Sequence, residues 1–139
     1  MLDLVLCVDD DSITLMLCKM VITKSSFSKE IATATNGEEA IKYFDNLKKG
    51  NKTTTAIKQP QLIFLDLNMP VMGGWEFLDS FSTSNYSDFS NVKVIILSST
   101  IDPEDLNKAK KYPMVIDFLS KPITKDMLEY ITNKIQNAP

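Results

Sequence analysis

The sequence predicts an α/β domain in which five parallel strands alternate with five helices around one doubly wound sheet. Short apolar runs alternate along the chain with segments of helical periodicity, which is typical of βα units. The runs at residues 62–65 and 92–97 are almost wholly apolar, as expected of strands that helices cover on both faces. At 139 residues the chain is long enough for one domain with a substantial core.

The first βα unit combines a strand at about residues 4–8 with a helix that either Asp11 or Ser12 caps. Apolar residues at i, i+3, i+4 and i+7 spacing predict that helix: Ile13, Met16, Leu17 and Met20. The second strand, at about residues 30–34, looks short and weak, and Asn36-Gly37 then turns the chain into helix two. Helix two carries the apolar stripe Ala40, Ile41, Phe44 and Leu47, and Gly50 is its expected end.

The middle of the chain contains two polar stretches, at residues 51–60 and 82–91, which we expect to be exposed loops. Between them lie strand three at residues 62–65, a turn through Pro70 and Gly73-Gly74, and helix three with Phe77, Leu78 and Phe81. Strand four follows at residues 92–97.

The last two units begin with a helix four that opens at Asp102-Pro103, a cap followed by proline at the first helical position. Strand five is expected at residues 115–119 and helix five at about residues 124–136. One face of helix five carries Met127, Leu128, Ile131 and Ile135.

Composition excludes several classes of function. The net charge is −3 and arginine is absent, so we expect no direct nucleic-acid binding. The absence of histidine excludes Ser-His triads, histidine metal ligands and histidine general bases. Cys7 and Cys18 are expected to be small buried apolar residues. The sequence shows no signal peptide and no apolar stretch of about 20 residues, so we expect a cytoplasmic location without membrane insertion.

Polar residues stand at the ends of four apolar runs. Asp9-Asp10 follows strand one, Asp66 follows strand three, Ser98 follows strand four, and Lys121 follows strand five. Ligands of open α/β sheets bind outside the carboxyl ends of the strands, so these side chains are expected at one site.

That set of side chains suits phosphoryl chemistry. Clustered carboxylates repel one another unless a cation intervenes, and Mg²⁺ prefers such oxygen ligands. A carboxylate can attack a phosphoryl group when a metal and an ammonium neutralise the crowded oxygens. Lys121 supplies the ammonium, and Ser98 supplies a hydroxyl that can donate to a phosphoryl oxygen.

These residues resemble the response-regulator receiver domains of two-component signalling. The resemblance rests on Asp9-Asp10, on Asp66 with Met69-Pro70 and Gly74, on Ser98, and on Lys121-Pro122, and it covers essentially the whole chain. It implies a flavodoxin-like fold and a stand-alone receiver, similar to chemotaxis regulators, over residues 1–139. It also implies a cis Lys121-Pro122 peptide bond.

The roles implied by the resemblance can be assigned to residues. Asp66 would accept a phosphoryl group from a histidine kinase or phosphotransfer protein, with Ser98 and Lys121 binding that group. Mg²⁺ would bind Asp10 and Asp66 directly, Asp9 through water, and the backbone carbonyl of Asn68. The protein would thus catalyse its own phosphorylation and dephosphorylation without being a conventional metabolic enzyme.

The resemblance further implies a phosphorylation switch. Ser98 and Phe118 would be its switch residues, and the face formed by helix four, strand five and helix five would bind a downstream protein target. Serine in place of the more frequent threonine at position 98 keeps the hydroxyl, and Gly73 stands where Asp or Asn is common.

Two other functions fit parts of the pattern. A haloacid-dehalogenase-like phosphatase also uses an aspartate nucleophile, a lysine and Mg²⁺, but in that family the nucleophile follows the first strand. A pseudo-receiver would bind a partner without being phosphorylated, and loss of one site residue is its usual mark. All five principal site residues of a phosphorylated receiver are present here: Asp9, Asp10, Asp66, Ser98 and Lys121.

Overall fold

The protein folds around a five-stranded parallel sheet, as the sequence predicts. A computed structural model describes residues 1–50 and 59–136. The strands are β1 (Leu2–Val8), β2 (Ser28–Ala34), β3 (Leu62–Leu65), β4 (Lys93–Ser98) and β5 (Val115–Ser120). Their order in the sheet is β2-β1-β3-β4-β5, so the direction of winding reverses beside β1, and β2 and β5 form the two edges.

Five α-helices cover the two faces of the sheet. They are α1 (Ser12–Lys24), α2 (Gly37–Gly50), α3 (Gly74–Phe81), α4 (Pro103–Ala109) and α5 (Lys125–Gln136). The core on one face contains buried residues of α1 and α5, and the core on the other contains residues of α2, α3 and α4. Both cores share the strands β1, β3 and β4, which are buried apart from their first residues in β1 and β4 and whose side chains alternate between the two cores.

The helices begin where side chains satisfy their first backbone amides. Asp11, one of the two expected caps of α1, accepts a hydrogen bond from the Ile13 N–H at 2.9 Å. Asn36 accepts from the Glu39 N–H, and the Glu39 carboxylate accepts in return from the Thr35 N–H. Asp102 caps α4, and Pro103 is its first residue, as the sequence predicts.

Residues 82–91 are not simply a polar loop, which corrects one expectation. A 3₁₀-helix spans Ser84–Phe89, and Phe89 is buried with its ring centroid 4.9 Å from that of Phe44. Phe44 is fully buried and also contacts Phe77 and Phe81 of α3. The Tyr86 hydroxyl of the same segment donates to Asp45 Oδ1 at 2.8 Å, so both aromatic residues hold the segment to the domain.

The apolar residues whose spacing predicts α1 lie on its outer face. Leu15, Cys18 and Ile22 are the buried residues of this helix. The side chains of Ile13, Met16, Leu17 and Met20 are 61%, 58%, 39% and 42% exposed. The spacing predicts the helix correctly, but α1 is apolar on two opposite faces, and the spacing alone does not tell which face meets the sheet.

Other expectations concern single segments. Strand β2 begins at Ser28, two residues earlier than expected, and it pairs with β1 along its length. Most of the expected 51–60 loop lies outside the described residues. Cys7 and Cys18 are buried free thiols, as predicted. None of the helices in the described part of the chain has the length and hydropathy needed to cross a bilayer.

Candidate functional site

The carboxyl ends of four neighbouring strands bring the predicted site residues together. Asp9 and Asp10 follow β1, and Asp66 follows β3, which pairs with β1. Ser98 ends β4 and pairs with Ser120 of β5, directly before Lys121. The site thus forms from residues more than 100 positions apart in the chain because their strands run parallel and end at one edge.

Three carboxylates form the centre of the site. One oxygen each of Asp9, Asp10 and Asp66 lies within 4.8 Å of the other two. Asp9 and Asp66 are buried, whereas Asp10 is exposed at the mouth of the site. Asp9 Oδ1 accepts a hydrogen bond from the Asp11 N–H at 2.9 Å, which fixes the orientation of its carboxylate.

The Lys121 ammonium lies between the two buried carboxylates. Its Nζ is 2.5 Å from Asp9 Oδ2 and 3.2 Å from Asp66 Oδ1. Burial alone would lower the pKa of Lys121, but the hydrogen bond to Asp9 and the charges of Asp66 and Asp9 raise it above its usual value. Lys121 is therefore a fixed positive charge at neutral pH.

The backbone also holds Lys121 in place. Its N–H donates to the Ser98 carbonyl oxygen at 2.8 Å, which joins the ends of β4 and β5. The Lys121-Pro122 peptide bond is cis, as the resemblance implied.

The surroundings of Asp66 disfavour its ionised form. Burial raises its pKa, the neighbouring charge of Asp9 raises it further, and Lys121 only partly offsets both effects. A buried carboxylate beside a like charge and a fixed ammonium is a candidate reactive group. Its backbone is held by the Asp66 N–H, which donates to the Val8 carbonyl oxygen at 2.9 Å.

Gly74 allows helix α3 to approach the Asp66 backbone. A Cβ at this position would lie 2.5 Å from the Asp66 carbonyl oxygen and 2.9 Å from Leu67 Cα, too close for any other residue without a shift. The Gly74 N–H donates to the Leu67 carbonyl oxygen at 2.9 Å. The glycine of the predicted Asp66–Gly74 motif therefore sets how closely α3 packs behind the carboxylate.

Ser98 and Asn68 occupy the other sides of the site. Ser98 is buried, and its Oγ accepts a hydrogen bond from the Thr100 N–H at 3.3 Å. That contact leaves the hydroxyl hydrogen of Ser98 free to donate elsewhere. Asn68 lies two residues after Asp66 and is exposed, which makes its backbone carbonyl a possible fourth oxygen ligand in the predicted set.

Phe118 lies in β5 opposite Ile96 of β4 and belongs to the core on the α2–α3–α4 face. Its side chain is only 9% exposed, so the inward position is already filled in this structure. The neighbouring Asp117 accepts hydrogen bonds from the Tyr130 hydroxyl and the Lys134 ammonium of α5. Burial alone would raise the pKa of Asp117, but these hydrogen bonds and that of the Phe118 N–H hold it below its usual value.

Two features of the segment that follows Asp66 were not predicted from the sequence. Val71 has φ of 70°, a strained value for a β-branched residue, and its side chain is exposed. Trp75 of α3 stacks on Tyr112 at 5.7 Å between centroids, and the Lys108 ammonium of α4 lies 4.7 Å from the Trp75 ring. The predicted turn through Pro70 and Gly73-Gly74 includes Val71, whereas no spacing in the sequence indicates the contact of Trp75 with Tyr112.

The donor set decides which cation the site could hold. Its three clustered ligands are carboxylate oxygens, and histidine is absent from the whole sequence. Hard cations such as Mg²⁺ take oxygen ligands and keep several waters, which the exposed side of Asp10 can accommodate. The residues present therefore fit Mg²⁺.

Comparison with known proteins agrees with this geometry. Residues 5–133 match the family model of the response regulator receiver domain. The chain belongs to this family. It is similar to chemotaxis protein CheY of Thermotoga maritima, with 30% identity over 94% of the chain and 95% of that protein. An uncharacterized response regulatory protein of Staphylococcus epidermidis is 32% identical over 94% of the chain.

Solved receiver structures share the fold. A two-component response regulator from Cytophaga hutchinsonii superimposes with a TM-score of 0.80 and 33% identity, covering 99% of this chain and 98% of that one. The receiver spans only 45% of the Staphylococcus epidermidis protein and 29% of a Bacillus subtilis protein-glutamate methylesterase. The same domain thus occurs both almost alone and as part of longer proteins.

Membership of the receiver family excludes one of the two alternative functions raised by the sequence. The nucleophile candidate follows the third strand of a receiver sheet, not the first strand as in haloacid-dehalogenase-like phosphatases. A pseudo-receiver remains a second candidate within the family.

Proposed function

We propose that this receiver takes a phosphoryl group from a phosphohistidine onto Asp66 and signals by a changed partner-binding surface. The observation that carries the proposal is the position of the Lys121 ammonium between Asp9 and Asp66, with Asp10 at the mouth of the same site. An ammonium held by two carboxylates supports transfer chemistry because it can move to a phosphoryl oxygen without leaving the site.

In the proposed reaction an Asp66 carboxylate oxygen attacks phosphorus. A new O–P bond forms, the P–N bond to the donor imidazole breaks, and the imidazole leaves with the electron pair and takes a proton from water. Mg²⁺, held by Asp10, Asp66 and the Asn68 carbonyl and by Asp9 through water, would neutralise the phosphoryl oxygens when bound.

The remaining groups bind the transferred phosphoryl group. Lys121 and the Ser98 hydroxyl are proposed to donate to its oxygens. Movement of Ser98 towards it would change the packing of Phe118, which already lies inward in this structure. The readout surface is then α4, β5 and α5, where Asp117 and Tyr130 are hydrogen-bonded.

The donor is proposed to be a histidine kinase or phosphotransfer protein, and the target a protein that binds the α4–β5–α5 surface. We also propose that residues 1–139 act as one receiver domain, of which residues 5–133 match the family.

The test is labelling of the purified protein with acetyl phosphate and Mg²⁺. One acid-stable, base-labile phosphoryl group should appear, and Asp66→Asn should abolish it. Asp79→Asn is the matched control, because Asp79 is an exposed aspartate of α3 outside the site. Equal labelling of the Asp66→Asn variant would show that Asp66 is not the acceptor. An unlabelled wild type that still binds a partner would favour the pseudo-receiver.

A further inference from the structure

A cavity of about 400 Å³ lies at the opposite end of the sheet from Asp66. Its lining includes Lys93, the first residue of β4, together with Pro113 and Met114, which directly precede β5. Ser98 is at the other end of β4, about 16 Å away along the strand. Pockets that hold small molecules have volumes of about 300–1,000 Å³. The cavity is therefore separate from the phosphoryl site and has the size of a small-ligand pocket.

Aromatic rings form the floor of this cavity. Phe81 and Phe89 are buried, with ring centroids 6.3 Å apart and ring planes inclined by only 13°. The Tyr86 ring also lines the cavity, and its centroid is 5.8 Å from that of Phe81. Aromatic rings pack on one another at centroid separations of about 4.5–7 Å, which gives them an attraction beyond burial of apolar area. The floor therefore favours a ligand with a planar aromatic ring.

The polar groups of the cavity favour an anion. Lys93 is exposed and forms no ion pair with any described residue, and none of the described side chains that line the cavity is acidic. The hydroxyls of Ser84, Ser87 and Ser90 also line it and donate to no described residue. An ammonium and several hydroxyl donors can all donate to one carboxylate. The ligand that matches this lining carries a negative charge.

One wall of the cavity is held in place by the sheet. The Met114 carbonyl oxygen accepts a hydrogen bond from the Val94 N–H at 2.8 Å, and the register of β4 with β5 shifts immediately after Val94. Such a β-bulge bends its strand, and bulges are over-represented next to active sites. Pro113 and Met114 therefore form a fixed wall beside the aromatic floor.

We propose that this cavity binds a small organic anion that consists of a planar aromatic ring and a carboxylate. The ring packs against Phe81 and Phe89, and the carboxylate accepts hydrogen bonds from the Lys93 ammonium and the serine hydroxyls. The aromatic floor alone would admit any flat apolar molecule, whereas Lys93 makes the cavity prefer an anion. This site goes beyond the proposed phosphoryl transfer, because none of the residues assigned to that reaction lines the cavity.

Titration of the isotope-labelled full chain with 2-naphthoate, followed by NMR, tests the site. A ligand of about 13 non-hydrogen atoms with the efficiency of drug-sized molecules should bind with a dissociation constant of about 1 mM. We expect saturable shifts of backbone amides within residues 81–93 and at Met114. Shifts that rise without saturation up to about 10 mM would overturn the proposal. So would shifts that are largest at Asp66 and Lys121, because they would assign the anion to the phosphoryl site.

Two related probes test the proposed chemical class. 2-Naphthalenemethanol keeps the planar ring and lacks the charge, whereas cyclohexanecarboxylate keeps the charge and lacks the planar ring. Each should bind at least about fivefold more weakly than 2-naphthoate, because each loses one of the two interactions. Equal binding of the alcohol would refute the preference for an anion, and equal binding of cyclohexanecarboxylate would refute the preference for an aromatic ring.

Charge-removing variants test the role of Lys93. Lys93→Gln should weaken 2-naphthoate binding by about five- to tenfold and leave binding of 2-naphthalenemethanol unchanged. Lys110→Gln is the matched control, because it removes the same charge from an exposed lysine outside the cavity. Equal weakening by the two variants would mean that net charge alone attracts the anion, which would overturn the proposal. Asp66→Asn should bind 2-naphthoate as the wild type does, so this test stands apart from that of phosphorylation.

Discussion

Replacing Gly74 with alanine tests whether the close packing of α3 positions the Asp66 carboxylate. The new Cβ would lie 2.5 Å from the Asp66 carbonyl oxygen, whereas ordinary contacts begin at 3.4 Å. The two backbones must therefore separate by about 0.9 Å, and overpacking of this kind costs about 1–3 kcal/mol. A misplacement of about 1 Å at a reacting group can lower a rate by about 100-fold.

Helix propensity alone predicts that Gly74→Ala would stabilise the protein and not destabilise it. Gly74 is the first residue of α3 and has no positive φ, so alanine would otherwise stabilise the helix by about 0.5–1 kcal/mol. We expect the clash to prevail, with a net loss of about 1–2 kcal/mol and acetyl phosphate labelling of Asp66 slowed by about 10- to 100-fold. Urea unfolding followed by circular dichroism gives the first value, and the labelling rate gives the second.

Gly73→Ala is the matched control because it adds the same methyl group one residue earlier. Its Cβ would lie 3.0 Å from the Leu67 carbonyl oxygen, and its next neighbour is at 3.9 Å. We expect a smaller loss of stability and a labelling rate close to that of the wild type. If Gly74→Ala is more stable than the wild type and is labelled at the same rate, the proposed role of this packing is wrong.

Three further predictions concern the metal, the core and the pH dependence. Asp10→Ala should abolish the rise in Tm with Mg²⁺, which in the wild type corresponds to about 2.7 kcal/mol at 100 times Kd. Phe44→Ala should cost about 3–5 kcal/mol in urea unfolding, because Phe44 is fully buried among aromatic rings. The pKa of Asp117 is lowered, so its contribution to stability is full above about pH 4 and is lost as the pH falls through that lowered pKa. Asp117→Asn should therefore make acid unfolding less steep below about pH 4.

Each of these predictions has a result that contradicts it. If Mg²⁺ raises the Tm of the wild type and of Asp10→Ala equally, Asp10 is not a ligand. Asp88→Ala is the control, because Asp88 is an exposed aspartate outside the site. A loss below about 1 kcal/mol for Phe44→Ala would mean that the ring contributes little packing. Identical acid unfolding of the wild type and Asp117→Asn would mean that the hydrogen bonds to Asp117 do not stabilise the fold.

Strands were the most predictable part of the fold. Strand β3 was predicted at its observed limits, because four consecutive apolar residues end abruptly at Asp66. A wholly apolar run of this length is typical of a strand in a sheet that helices cover on both faces. Strand β2 is at the sheet edge and only its first and last residues are buried, so its polar start, Ser28-Lys29, gave no strand pattern.

Helix α1 was predicted correctly as a helix, but its pattern did not indicate which face is buried. Periodicity identifies a helix, whereas burial depends on which face meets the sheet, and this helix has two apolar faces. The 3₁₀-helix at Ser84–Phe89 was missed for the opposite reason. A single buried aromatic, Phe89, provides no period.

The site was predictable in its residues but not in its contacts. Parallel strand ends must meet at one edge, and this places Asp9, Asp66 and Lys121 together. The sequence indicated that Lys121 would be near Asp66, but it gave no sign that the ammonium lies closer to Asp9. That preference depends on distances of tenths of an ångström, which residue spacing does not encode.

The Lys121 ammonium determines which cation charge neutralises the site. Three carboxylates with one ammonium carry a formal charge of −2 when all are ionised. A monovalent cation such as Na⁺ or K⁺ would leave that cluster at −1, whereas one divalent cation brings it to neutrality. If the ammonium were absent, a single divalent cation would no longer suffice, and the cluster would favour a trivalent ion or a proton. Lys121 therefore sets the valence that balances the site, apart from any contact it makes with a phosphoryl group.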